Sequence, residues 1–360
     1  MNAPDITRHR LLSQYIEGRR FRTPGDVVQW LGAVQAQDYA ASLWAVGVRM
    51  REATERAVES ALANKKIIRT WPMRGTLHFV SPSDVRWMLK YLTPRMVARG
   101  ALRFRQLELD PTTFSKSRRI FSKSLEGGKR LTRDEAYELL EKNCISCKGQ
   151  RGIHILWRLA QEGLICHGPR TGKQTTFVLL DEWVPVMPTI SRDEALAQLA
   201  RRYFLSHGPA TLQDFAWWSG LTAADAQESL DAVRSSIASE TIGNKTYWFA
   251  DEDASTSRSG PGAHLLPAFD EFLVGYTDRS DAIDQKYAKR MHPGGGILNA
   301  TFVAGGLIRG TWTRTMKQNH FELRIKPFES MKRIQRDTLK KAIVRYGRFL
   351  GMPVTFVVDH

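Results

Sequence analysis

The sequence predicts an α+β protein: three tandem winged helix-turn-helix units followed by a β-rich C-terminal region. Three observations carry that expectation. One order of elements, helix, helix, helix, hairpin, recurs three times between Thr7 and Phe249. After Asp251 the composition shifts, and the Ser-, Asp- and Gly-rich stretch to Gly262 reads as a linker. Finally, 53 Lys and Arg stand against 37 Asp and Glu over 360 residues, a net charge of +16 spread along the chain with no polybasic tail. A distributed positive excess suits a folded surface that attracts a polyanion, nucleic acid first and an anionic membrane surface second.

The first unit, residues 1–100, has helices predicted over Thr7 to Ile16, Thr23 to Leu31 and Glu52 to Ala63. Two short strands, Lys66 to Thr70 and Thr76 to Val80, lie around Trp71-Pro72. In the second, residues 101–187, helices are expected over Ser115 to Ser124, Thr132 to Glu141 and Ile153 to Glu162. Thr132 followed by Glu135 is a capping box, and Gly163 ends the third helix. Leu164 to His167 then pairs with Thr175 to Leu180. The third unit, residues 188–252, has Asp193 to Ser206, Thr211 to Trp218 and Ala223 to Val233 as helices. Ser239 to Ile242 and Thr246 to Phe249 flank the turn Gly243-Asn244-Lys245. The last region, residues 263–360, contains a hairpin of Ala300 to Val303 and Leu307 to Trp312 across Gly305-Gly306. A strand Phe321 to Ile325, a helix Lys332 to Leu350 and a final strand Val354 to Val358 complete it. In a winged helix the helix-turn-helix presents a recognition helix to DNA and the hairpin touches the backbone; an array used only for protein contacts is the competing use.

Composition excludes wholesale disorder, since 42% of residues are hydrophobic and 25% charged. No apolar run approaches the roughly 20 residues needed to span a bilayer, and residues 1–10 contain no apolar signal core. Three cysteines give no disulfide framework. A cytoplasmic, nucleoid-associated location without membrane contact is expected, with the chain a monomer.

Chemistry concentrates at Gln35-Ala36-Gln37, just beyond the second helix. In extended or irregular backbone, side chains alternate with period two, so the two amides aim at one point while Ala36 turns away. An amide has one acceptor oxygen and two donor hydrogens and does not titrate, so such a pair orients a water without taking its proton. The bland reading is two glutamines satisfying a helix end. A second candidate is Arg74-Gly75-Thr76-Leu77-His78, where Thr76 and His78 share one strand face; a strand histidine bonded to backbone is the alternative. Asp270, Glu271 and Asp278 are loop carboxylates that pair with Arg279 or Arg309 in the simplest reading. Arg333, Arg336, Lys340 and Lys341 recur at helical spacing, a solvated face that can also meet phosphate. Cys144 and Cys147 form one CxxC with Cys166-His167 downstream. A second CxxC is missing, so two thiols at a helix end are favoured over zinc, and no metal or cofactor is expected. Gly168 to Lys173 is one residue short of phosphate-loop spacing and is followed by Gln174 where Ser or Thr is needed.

Taken together, Val34-Gln35-Ala36-Gln37, Arg74 to His78, Leu266-Pro267-Ala268-Phe269-Asp270 and Gly310-Thr311-Trp312 resemble the AlkZ family of bacterial winged-helix DNA glycosylases. The resemblance runs from about Thr7 to the C-terminus, with the motifs in order. It implies a C-shaped, DNA-binding body of three winged helices, with the Gln-aliphatic-Gln motif on its concave surface. Gln35 and Gln37 are then the catalytic pair, and Gln37 sets this chain nearer that branch than the YcaQ branch, which has Asp there. The implied activity is release of cationic N-alkylated purines from double-stranded DNA, with unhooking of interstrand crosslinks in some members. Arg74, Thr76, His78, Asp270, Asp278, Arg279, Arg309 and Trp312 are the expected DNA-binding or supporting residues. The hairpin Ala300 to Trp312 is the implied minor-groove probe, its glycine tip allowing close backbone approach. The competing function is a non-enzymatic winged-helix transcriptional regulator.

Overall fold

A computed structural model describes residues 1, 3–18, 20–251 and 262–359. Local capping chemistry sets many of the helix boundaries. After α1 (Ala3–Ser13), α2 (Pro24–Leu31) begins where the Thr23 hydroxyl accepts a hydrogen bond from Asp26 N at 3.2 Å. Pro24 occupies its first turn, where a missing N–H is no loss. Gly32, at φ +77°, ends it in the left-handed half of conformational space that favours glycine. β1 (Val34–Gln35) follows, and Asp38 then caps α3 (Tyr39–Gly47) by accepting from Ala41 N at 3.0 Å. Sequence periodicity predicts no helix here. Residues Ser42 to Gly47 are all buried, so α3 lacks the polar stripe that marks an amphipathic helix.

The chain divides into two units, Met1–Val58 with Leu196–His360, and Glu59–Ala195. The helix α4 (Glu55–Ala63) runs across the first division point. In the second unit, β2 (Ile68–Met73) and β3 (Thr76–Val80) form an antiparallel hairpin that turns at Arg74-Gly75, φ +54° and +73°. The strand runs through Trp71-Pro72 instead of breaking there. Its register shifts between Thr70 and Met73, the stretch in which Pro72 has no N–H to offer a partner. Three short helices follow where none is expected, α5 (Val85–Leu92), α6 (Pro94–Arg99) and α7 (Ala101–Gln106). Then come α8 (Pro111–Leu125), β4 (Leu131–Thr132) and α9 (Arg133–Lys142), which carries the expected Thr132/Glu135 capping box. Next are α10 (Arg151–Gln161), β5 (Ile165–Thr171), β6 (Gln174–Leu179) and α11 (Leu180–Trp183). The strands of this unit lie side by side as β3-β2-β5-β6-β4. Phe121, Leu125, Leu140, Ile155, Leu159 and Phe177 fill the core behind them.

The first unit resumes within α12 (Arg192–His207), followed by α13 (Leu212–Ser219), α14 (Ala223–Asp231) and the hairpin of β7 (Ala238–Ile242) and β8 (Lys245–Phe249). Thr211 and Asp214 form a capping box at the start of α13. Most of the expected linker, residues 252–261, lies outside the described residues. Beyond it stand β9 (Ala263–Leu266), α15 (Glu271–Val274), α16 (Ala288–Met291), β10 (Thr301–Ala304), β11 (Leu307–Met316), β12 (Phe321–Pro327), α17 (Arg333–Leu350) and β13 (Val354–Val358). They form a sheet in the order β13-β12-β11-β10-β9, antiparallel except for β12–β13. That parallel pair needs a crossover, and α17 supplies it. Its inward face is Leu339, Ala342, Ile343, Tyr346 and Phe349, while Arg333, Arg336, Lys340 and Lys341 are exposed. Tyr346 meets Trp44 at 5.0 Å and Trp312 at 5.2 Å between ring centroids, an aromatic cluster that joins α3 to the sheet. Among the described residues no helix is long and apolar enough to cross a membrane.

Candidate active site

Gln35-Ala36-Gln37 lies between the Gly32 turn and the Asp38 cap, so both ends of the segment are fixed by local chemistry. Ala36 is fully buried, Gln35 is half-buried and Gln37 is exposed. The support beneath comes from far along the chain. Gln35 N donates to Glu271 Oε1 at 2.8 Å, and Trp218 Nε1 donates to Glu271 Oε2 at 2.9 Å. His207 Nε2 lies 3.4 Å from the same Oε2. Burial holds His207 below its ordinary value, against the raising influence of Glu271. Tyr203 stacks on His207 with centroids 4.8 Å apart, so Glu271 sits in an aromatic wall without solvent.

Asp270 is equally buried, and its partner is Arg49, not Arg279 or Arg309. The pair is bidentate at 2.8 and 2.9 Å. Arg49 also donates to Gln14 Oε1 at 2.6 Å and to Ala45 O at 2.7 Å, and Asp270 Oδ1 accepts from Phe272 N at 2.9 Å. Phe269, at φ +58°, makes the bend from which both acids enter the interior. Asp270 therefore supports α3 from inside the protein and offers nothing to a DNA surface.

The remaining predicted residues divide between surface and core. Asp278 pairs with Lys245 at 2.6 Å. Partial burial pushes its carboxyl up, but hydrogen bonds from Lys245 and Ser280 more than reverse this and hold it down at about 2. Arg279 is half-buried and donates from Nε to Leu273 O at 2.8 Å. Arg309 is half-buried on β11. Trp312 is buried, its indole N–H donating to Leu266 O at 2.9 Å. The hairpin expected to probe a groove is interior sheet, with Phe302 and Val303 fully buried and β10 flanked by β9 and β11; only Gly305 at its tip is exposed.

In the second unit, Arg74 and Thr76 are half-buried and His78 is buried. His78 Nδ1 lies 2.9 Å from Thr76 O, which can only accept, so Nδ1 carries the proton. Nε2 is then the acceptor for Arg74 Nη2 at 3.1 Å. The histidine bonds to backbone, as the simpler reading of that strand supposed, and it also orients Arg74. Cys144 and Cys147 follow α9, and Cys166 is buried on β5; burial pushes Cys147 up to about 11 and Cys166 up further. No group of three or more His, Cys, Asp or Glu is arranged to hold a metal among the described residues.

Sequence reasoning missed Glu271 as part of the site, together with Arg49, Gln14, His207 and Trp218. Only the adjacent acids Asp270-Glu271 carried a signal, because the other partners are distant in sequence.

Half-buried Gln35 and exposed Gln37 thus lie on a segment whose backbone is tied to buried Glu271, in a chain of net charge +16. The chain belongs to the DNA glycosylase AlkZ-like family, whose sequence model matches residues 28–349. It is 24% identical to an interstrand DNA cross-link repair glycosylase of Streptomyces sahachiroi, over 97% of each chain. The solved structure of the Streptomyces sahachiroi DNA glycosylase AlkZ shares its fold, with a TM-score of 0.79 at 23% identity, covering 99% of this chain and all of that one.

Proposed function

We propose that this protein is a monofunctional DNA glycosylase that excises cationic N-alkylated purines, of the N7-alkylguanine type, and unhooks interstrand crosslinks built on such bases. Gln35 and Gln37 are its catalytic pair. The observation that carries this reading is the placing of half-buried Gln35 and exposed Gln37 on either side of fully buried Ala36. The name of the Streptomyces sahachiroi relative supports the crosslink substrate.

The chemistry suits neutral amides. Alkylation at N7 places positive charge on the base, so when the N-glycosidic bond breaks the electron pair leaves with the base and neutralises it. No strong general acid is needed. An oxocarbenium-like sugar develops, and two preorganised amide oxygens stabilise it and orient the water that adds at C1′. The water's proton passes to solvent, and an abasic site remains. In this reading residues 1–100, 101–187 and 188–252 act as three winged helices that contact the duplex, with residues 263–360 a C-terminal α+β region. Arg74, oriented by His78, together with Thr76, Asp278, Arg279 and Arg309, contacts or supports the DNA backbone.

The test is single-turnover excision from duplex DNA carrying N7-methylguanine, read by hot-alkali strand cleavage. Gln37→Ala lowers the rate by about 10²-fold, the usual cost of one preorganised polar group, and leaves DNA affinity unchanged. No release of base by the unsubstituted protein, with binding to one preferred operator sequence, establishes the regulator instead.

A further inference from the structure

We infer that Glu271 is a positioning residue for the glutamine pair, fixing the Gln35 peptide so that both amides keep their outward aim; this rests on the catalytic reading of Gln35 and Gln37. The argument starts from what Glu271 touches. Oε1 accepts from Gln35 N at 2.8 Å and Oε2 from Trp218 Nε1 at 2.9 Å, with His207 Nε2 3.4 Å from Oε2, and the side chain is fully buried. A buried carboxylate is costly to desolvate, and a carbonyl can satisfy a lone backbone N–H more cheaply. What a carboxylate adds is two acceptor edges on one rigid plane and a charge-assisted, shorter bond.

The surroundings prevent that plane from drifting. Trp218 lies beneath the α2 terminus, where a Cβ on Gly32 stands 3.5 Å from its ring. Tyr203, His207 and Trp218 pack against one another with centroids 4.8 to 5.2 Å apart. Gln35 is thus referenced to α12, α13 and α15 and not only to its own loop. Since the side chains alternate, holding the Gln35 peptide also sets the aim of Gln37, two residues on.

Glu271→Gln is nearly isosteric but replaces one acceptor by an NH2 group. That group must oppose either Gln35 N–H or Trp218 Nε1–H, so one of the two bonds is lost in either amide orientation. The experiment measures single-turnover excision of N7-methylguanine at saturating protein, the half-saturating protein concentration, and thermal melting. Expected is at least a tenfold fall in the saturating rate, with half-saturation unchanged and melting still cooperative. In the double variant with Gln37→Ala, the loss is smaller than the product of the two single losses, because the share of the Glu271 effect that acts through Gln37 is already gone. An unchanged Glu271→Gln rate, or multiplicative losses in the double variant, overturns the positioning role while leaving the glutamines in place. An unchanged Gln37→Ala rate removes the catalytic reading itself. Hydrogen exchange needs no variant: the Gln35 amide of the unsubstituted protein exchanges slowly although its side chain is half exposed, and open-loop exchange there overturns the inference.

Discussion

Asp270→Asn is the sharpest test of how the site is held. In the native protein Arg49 is fully buried and donates to four oxygens: two of Asp270, one of Gln14 and the carbonyl of Ala45. The substitution leaves the Phe272 N cap satisfied, because an amide oxygen still accepts there, but it strips the guanidinium of its counter-charge. Two unit charges about 4 Å apart interact by roughly 4 kcal/mol at an effective dielectric near 20. Breaking a buried pair from one side typically costs about 3–5 kcal/mol. For a unit of this size each kcal/mol moves the melting temperature by about 2–4 °C, so a fall of roughly 6–20 °C is expected. Calorimetry reads it directly. Adding Arg49→Met to Asp270→Asn removes the stranded cation and recovers much of the loss, since replacing both partners of a buried pair is often near neutral. A fall of less than about 2 °C, or a double variant worse than the single, refutes the buried clamp and returns Asp270 to the surface.

Two further outcomes follow from the same geometry. The Asp278 carboxyl is held below its ordinary value, so its contribution is present above about pH 4 and is lost as pH falls towards 2. With the Lys245 and Asp278 side chains 42% and 46% exposed, Lys245→Met costs at most about 1 kcal/mol at neutral pH. Urea unfolding at neutral pH and near pH 2 checks this, and a gap that persists in acid contradicts it. Phe302→Ala, in the buried β10–β11 hairpin, destabilises by about 3–5 kcal/mol and loses excision only as far as folded protein is lost; weakened DNA binding with unchanged melting restores the hairpin to the groove.

What could be read from the sequence was local. The Thr132/Glu135 capping box needs only three residues of context, and it formed. The Gln35-Ala36-Gln37 triplet is equally local, and its middle residue is the buried one. Wherever a signal was diluted, it failed. The helix α3 is apolar nearly all round and shows no stripe. The helix α5 does carry Val85, Met88, Leu89 and Leu92 at helical spacing on its buried face, but it is only eight residues long and lies between Pro82 and Pro94. The six-residue helices α6 and α7 are too short for periodicity to accumulate. The clamp could not be read at all: Arg49 and Asp270 are separated by 221 positions, and Gln35 and Glu271 by 236. Nothing local to an arginine distinguishes a buried partner from a solvated one.

That division has a mechanistic consequence for the proposed activity. In the proposed reaction the substrate base is cationic before any bond breaks. A carboxylate exposed in the site would attract it in the ground state as well as in the transition state, tightening binding without lowering the barrier between them. Neutral amides bind the ground-state cation less strongly, yet their oxygens still meet the positive charge that develops on the sugar. Their weakness is orientation, because a surface glutamine is free to turn. Two buried acids act on the framework instead, Glu271 on the Gln35 peptide and Asp270 on Arg49, the arginine that closes α3. On the proposed mechanism, charge is thereby converted into rigidity, and the amide dipoles need little reorganisation when the glycosidic bond breaks.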